Sequence, residues 1–316
     1  MEIEFNNVSF IINKGTPLEK TILNNVTFKL EKGKIHTILG ASNSGKTAIA
    51  DLINALNVPT SGSVRVGKFI NDGRRIKDIN ELRFQTGYVF KNPFDMFFNK
   101  TVKKEIEFGM KYFKYKLDKL EVRAIDSLKL VGLDESYLNM NPLDLTVVDA
   151  KKVALACAII YNPKVLILDE PTNGLDPAGI KQLRDILKEI SHKEGVAVFV
   201  SSHILAEMQQ MCDKVAVLDN GKIVKTEEIT NTQEETTETV EIRVKDTEKS
   251  VQILKEKFGL DIKVKDKNIL VTLQTQQLPT VVKELAIADV EIKAVVPKEH
   301  TLEDIFFDAT KGGKNE

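Results

Sequence analysis

Cysteine is scarce: Cys157 and Cys212 are the only two in 316 residues. That is too few for a disulfide framework and fits a reducing compartment. Net charge is lacking too, because 45 basic residues meet 46 acidic ones, for a formal −1. There is accordingly no global electrostatic case for nucleic acid, and none is expected as a partner. Long apolar runs are missing. The longest, Val153 to Ile160, falls far short of the ~18 residues needed to cross a bilayer, so any work at a membrane needs spanning helices from another chain. The opening MEIEFNNVSF has no basic region leading into an apolar one, so no secretory signal is expected.

What is present is an ordinary globular balance, 42% hydrophobic and 29% charged, at a length that suggests two domains at roughly 100–200 residues each. Strands are expected at Glu2 to Phe5, Val8 to Ile12, Val26 to Leu30 and Ile35 to Leu39, with turns at Lys14-Gly15 and Glu31-Lys32-Gly33. A helix is expected from Ala48 to about Leu56. The pattern turns helical and charged between about Asn99 and Asn139. Strands return at Val165 to Leu168 and Val196 to Ser201, each after a helix. This alternation predicts a largely parallel sheet in an α/β domain.

Composition changes after Ile229. TNTQEETTET, residues 230–239, is polar and acidic and reads as a linker. Beyond it the expected order is a strand at Val240 to Val244, a helix at Thr247 to Phe258, a hairpin of Asp261 to Val264 with Asn268 to Leu273, a helix at Leu278 to Ala286 and a strand at Val290 to Val296. That βαββαβ order fits a small ferredoxin-like α+β sandwich. A last helix is expected at Thr301 to Ala309. The predicted division is 1–229, 230–239 as linker, and 240–316.

The strongest chemical signal is Gly40-Ala41-Ser42-Asn43-Ser44-Gly45-Lys46-Thr47, a complete G-x-x-x-x-G-K-[ST] loop between an apolar strand and a helix. Backbone N–H groups there point at an anion, and the helix dipole favours negative charge. ATP is the implied ligand. Lys46 would reach its β- and γ-phosphates and the Thr47 hydroxyl would ligate Mg²⁺. About 120 residues later, the apolar Val165 to Leu168 ends in Asp169 and Glu170. A carboxylate at that strand end is where a P-loop fold places a metal contact, so Asp169 joins Thr47 as a metal ligand. Glu170 is placed to polarise an attacking water.

These motifs, in this order, resemble the ATP-binding cassette (ABC) ATPases. The resemblance implies a P-loop NTPase domain with a helical subdomain at about 92–160. Asn173-Gly174-Leu175-Asp176-Pro177 is similar to the family's D-loop, and His203, after Ser201-Ser202, to its γ-phosphate-sensing switch histidine. His36, His192 and His300 match nothing. The stretch Gly87 to Pro93 with Thr101-Val102 and Phe108-Gly109 resembles the energy-coupling-factor ATPases of vitamin and metal uptake. Ser202 to Met208, Cys212-Asp213, Asp219 to Ile223, the appended domain and Leu302 to Phe306 resemble bacterial drug and bacteriocin exporters. Because they cover more of the chain, export is the leaning.

Three positions depart from the family pattern. The Leu-Ser-Gly-Gly-Gln signature aligns with Leu145-Thr146-Val147-Val148-Asp149. Valine side chains occupy space that glycine leaves for a partner's γ-phosphate. Lys91 stands at the Q-loop glutamine; an ammonium only donates, so it would pair with phosphate rather than ligate a metal. Ile12 stands at the adenine-stacking position, with Phe10 two residues earlier as a substitute on the same strand face. Composite sites in this family take Walker motifs from one subunit and the signature from the other. The damaged signature therefore favours a heterodimer with a second ATPase over a homodimer, or a regulatory subunit with slow turnover. The implied partner is a transmembrane permease, and the implied location the inner, cytoplasmic face of the membrane. Lys111 to Lys116 reads as an exposed helical face, and Phe94, Phe97 and Phe98 suit either a groove for a coupling helix or core packing.

Overall fold

The computed structural model describes residues 1–112, 120–229, 237–260, 262–265 and 268–297. Residues 1–229 group as one compact unit, and the described part of 230–304 as a second. In the first, an antiparallel sheet is built from β1 (Ile3–Ile12), β2 (Lys20–Leu30), β4 (Ser61–Val66) and β5 (Phe69–Asn71), in the order β2-β1-β4-β5. A second sheet contains β3 (Ile35–Leu39), β6 (Thr86–Val89), β7 (Val165–Asp169), β8 (Ala197–Ser202), β9 (Lys214–Asp219) and β10 (Lys222–Glu228). Its order is β10-β9-β3-β8-β7-β6, parallel except for the β10 edge. Every residue of β3, β7 and β8 is buried, which is why these strands read as unbroken apolar runs rather than alternating ones.

The helix α1 (Lys46–Ile53) packs on β4, β7 and β8, with Ile49, Leu52 and Ile53 fully buried in one core that also takes in Phe5 and Phe199. It starts two residues before the expected Ala48 and stops at Asn54, because Ala55 takes a left-handed φ of 53°. The first two predicted strands are one. Phe5 and Val8 are both buried although three apart, and a register shift at Asn6-Asn7, with Asn7 at φ 49°, supplies the extra residue. The helix α2 (Ile79–Gln85) packs on β6 at the edge of the parallel sheet, while α6 (Pro177–Lys188) follows β7 and α7 (Leu205–Gln209) follows β8 in the chain. In turn α3 (Val102–Tyr112), α4 (Leu120–Leu130) and α5 (Val147–Ile159) pack on one another as a helical group. Of the Lys111 to Lys116 segment, residues 113–116 lie outside the described residues. No helix among the described residues is long and apolar enough to cross a membrane.

In the second unit β11 (Thr237–Val244), α8 (Thr247–Phe258), β12 (Ile262–Lys265), β13 (Asn268–Gln274), α9 (Leu278–Ile287) and β14 (Ile292–Pro297) follow the βαββαβ order. The sheet order is β12-β13-β11-β14, antiparallel throughout, as a ferredoxin-like sandwich requires. Val240, Ile242, Leu254, Val271, Val281 and Leu285 form its core. The limits of α8 are those expected, since Asp246 accepts the Lys249 N–H at 3.1 Å and Gly259 closes the other end at φ 61°. Other boundaries shift, two of them with a change in pairing. Thr237–Thr239, expected in the linker, pair with Gln274–Thr272, helped by a 2.9 Å contact between the Thr239 and Thr272 hydroxyls. Lys265 pairs with Asn268, so the hairpin connection shortens to residues 266–267, outside the described residues. The predicted helix at 301–309 also lies outside them.

Candidate functional site

The loop at residues 40–47 leaves the C-terminal end of β3 and enters α1 directly. Two of its glycines are obligatory on steric grounds. A Cβ on Gly40 would lie 2.5 Å from both the Leu218 carbonyl and Ser44 Oγ, and Gly45 adopts φ 109° against Leu23. Ala41, Ser42 and Asn43 are exposed at the rim, whereas Ser44, Gly45 and Lys46 are buried beneath them. Among the described residues the buried Ser44 hydroxyl has no hydrogen-bond partner. An orphan donor at the floor of such a loop is what an incoming anion would satisfy.

Lys46 is 4% exposed and donates to the Gly40 and Ala41 carbonyls at 2.8 and 2.9 Å. Desolvation pulls its pKa below the usual lysine value, against the opposing pull of Glu170. Beside it, the Thr47 hydroxyl donates to Asp169 Oδ2 at 2.8 Å, and Ser201 donates to the other carboxylate oxygen at 2.5 Å. Parallel pairing of β7 with β8 sets Asp169 against Ser201. Thr47 and Asp169 are hard oxygen donors. Among the described residues no cluster of three or more His, Cys, Asp or Glu could hold a metal alone. The pair therefore fits an ion that fills its shell with phosphate and water oxygens, the habit of Mg²⁺.

Glu170, 6% exposed, takes a left-handed φ of 45°, and its N–H donates to Ser201 Oγ at 2.9 Å. Its carboxylate faces Lys46 at 3.4 Å, Lys91 at 2.9 Å, the Asn173 amide at 2.6 Å and His203 Nδ1 at 3.6 Å. Burial raises its pKa, but the hydrogen bonds and charges of Lys91 and Lys46, with Asn173, outweigh burial and hold it below the ordinary value. Lys91 is thus on the carboxylate, not free at the rim.

The sequence-predicted residues Gly40 to Thr47, Lys91, Asp169, Glu170 and His203 form this one cluster. Ile12 is not joined to it. It ends β1 in the other sheet, 37% exposed. Phe10, two residues earlier on the same strand, is partly buried and packs on the core. Ser201 and Asn173 were not foreseen as site residues. The signal for Ser201 was its place two residues before His203, on the strand next to β7. Phe97 is buried, whereas Phe98 is exposed and stacks edge-on with Phe108 at 4.6 Å.

A family model described as "ABC transporter" matches residues 23–173. The "Energy-coupling factor transporter ATP-binding protein EcfA2" of Streptococcus sanguinis is 36% identical over 226 residues, 71% of this chain and 81% of that protein. The chain belongs to the ABC transporter ATP-binding cassettes. The EcfA2 protein of Streptococcus agalactiae is 38% identical over 224 residues, 71% of this chain and 80% of the relative. Both names fall on the energy-coupling-factor side of the two subfamily resemblances, not on the exporter side. A shorter match, to "AAA domain, putative AbiEii toxin, Type IV TA system", covers residues 150–208 of the cassette. The solved ATP-binding cassette MJ0796, a dimer in a post-hydrolysis state bound to ADP and Pi, superposes with a TM-score of 0.67 at 25% identity. It covers 73% of this chain and all of the other. The cassette cbiO1 of Clostridium perfringens shares the fold, with a TM-score of 0.64 at 24% identity over 81% of this chain and 95% of that one. The cassette is an ATP-binding ATPase whose hydrolysis is coupled to transport.

The signature region of this cassette is a helix N-terminus. Thr146 caps α5: its Oγ1 accepts the Asp149 N–H at 3.1 Å and donates to Asp149 Oδ2 at 2.9 Å. Val147 is 44% exposed where the family has glycine.

Proposed function

We propose that this cassette contributes a nucleotide-loading Walker half to a heterodimer with a second ATPase, bound to a membrane permease on the inner face of the membrane. The observation that carries this reading is asymmetry within one chain. The loop, Thr47, Asp169, Glu170 and His203 converge within hydrogen-bonding or ion-pair reach, while the signature presents two valines and a carboxylate. Lys46 and the loop amides bind the phosphates of ATP, and Ser44 supplies a further donor. Thr47 and Asp169 hold Mg²⁺, which neutralises phosphate charge when bound. Glu170 accepts a proton from the attacking water, and His203, 41% exposed at its side chain, faces the γ-phosphate. Lys91 gives up part of its contact with Glu170 to reach phosphate.

The energy-coupling-factor relatives support uptake rather than export as the direction of transport. A division into 1–229 and a second domain is supported by the separate core of each unit, with the second domain's first strand beginning at Thr237 rather than Val240. The test is Mg²⁺-dependent ATPase of the purified chain alone and with a cassette bearing an intact signature. Slow turnover alone and at least tenfold stimulation by the second cassette are expected. Brisk turnover by the chain alone overturns the heterodimer.

A further inference from the structure

The degenerate signature helix makes contacts within its own chain that a phosphate cradle would not need. Lys151, one turn into α5, is 9% exposed. Its ammonium donates to the Pro171 carbonyl at 2.8 Å and to the Asn173 carbonyl at 2.5 Å. Lys151 also lines a small, mostly apolar cavity together with Val148, Leu155, Leu168, Pro171 and Leu175. Val147 approaches the same loop: Val147 Cγ1 would lie 3.7 Å from a Cβ on Gly174.

Both carbonyls belong to the irregular segment that follows Glu170, where no ladder or helix supplies partners. Glu170 holds an unfavourable left-handed conformation, which persists only where its surroundings over-determine it. Asn173 is the link: its backbone N–H donates to the Glu170 carbonyl at 3.3 Å and its amide to the Glu170 carboxylate at 2.6 Å. Burial pulls the Lys151 pKa down to about 8, with Glu170 and Glu207 opposing. The two carbonyl acceptors are what make burial of this ammonium tolerable.

We infer that Lys151 is a positioning residue: it clamps the Pro171–Asn173 backbone, and through Asn173 it fixes the carboxylate of Glu170, so that the signature helix orients the catalytic carboxylate of its own subunit. The inference rests on Glu170 being the base. It gives the valine-bearing helix a role in cis that does not need glycine, because the clamp begins one turn after the lost phosphate contacts.

The experiment compares Lys151→Met, Lys151→Arg and Asn173→Ala in the full chain by amide hydrogen exchange, nucleotide affinity and turnover. In Lys151→Met, amides of residues 172–175 should exchange at least tenfold faster while those of 40–47 stay unchanged. Nucleotide affinity should stay within twofold and kcat should fall about tenfold. Lys151→Arg, which keeps a buried cation donor, should restore most of both. Asn173→Ala should lower kcat similarly with the Leu175 amide, which donates to the Thr172 carbonyl, still protected. Unchanged exchange in Lys151→Met overturns the clamp, as does equal damage in Lys151→Arg or equal loosening of 40–47. If the unmodified chain proves unable to turn over, the hydrolytic reading fails, while the exchange comparison still decides the clamp.

Discussion

The two ends of the nucleotide machinery in this cassette are built on different physics. At the Walker end, β3, β7 and β8 deliver Gly40, Asp169 and Ser201 side by side, so the site is set by parallel register and buried backbone. At the signature end, Thr146 to Asp149 are the first turn of α5, and only a cap and local side chains determine their form. Substitution at the first end strikes packing that many residues share: a methyl group at Gly40 already meets Leu218 and Ser44 at 2.5 Å. The second end has absorbed two valines and kept an ordinary capped helix. Degeneration can therefore gather at the signature without cost to the fold, while the Walker residues are held by it.

The largest test of that contrast is Glu170→Gln. It should lower hydrolysis by about 10²–10⁴-fold, as loss of a general base does, while leaving ATP binding measurable by equilibrium dialysis; equal loss of both would make Glu170 structural. Next comes repair of the other end. Val147→Gly, Val148→Gly and Asp149→Gln together should raise turnover of the chain alone by about tenfold, a fraction of what a phosphate-contacting donor is worth. They should also lower thermal stability, because each glycine within a helix costs about 1 kcal/mol. No gain in turnover would show that the signature is not the limiting element. The smallest effect is expected for Lys91→Gln. With Lys91 present the Glu170 pKa is depressed, so the base stays ionised to lower pH. Removing the ammonium should raise that pKa and move the acid limb of the pH–rate profile upward. Binding of ATP in chelator should weaken about threefold. An unmoved acid limb would mean that the Lys91 contact has no electrostatic consequence.

The Walker motifs were legible because each is a short run whose function needs particular residue types at fixed spacing. Asp169 and Glu170 followed in the same way, as acids closing an apolar strand. The ferredoxin-like order of the second unit was legible as strand, helix, hairpin, helix and strand in turn, and Asp246 and Gly259 are the caps that fix the limits of its first helix. Less visible was everything that depends on a bulge or on pairing across distance. The shift at Asn6-Asn7 merged two predicted strands. His36 matched no motif; it is a buried group accepting the Glu31 N–H at 2.7 Å, with burial pushing its pKa down to about 4.

The sequence by itself determined that there is a P-loop, which acids close the apolar strand, and that the signature has lost its glycines. All of these are local, since backbone sterics and side-chain chemistry act at the residue that carries them. Only the tertiary structure decided that Lys91 rests on Glu170, that Ser201 ties Asp169 to the Glu170 backbone, and that Lys151 holds the carbonyls of Pro171 and Asn173. Those contacts join residues 20 to 79 positions apart. Their partners are selected by strand register and by which helix face is buried, and neither is set by any one segment alone.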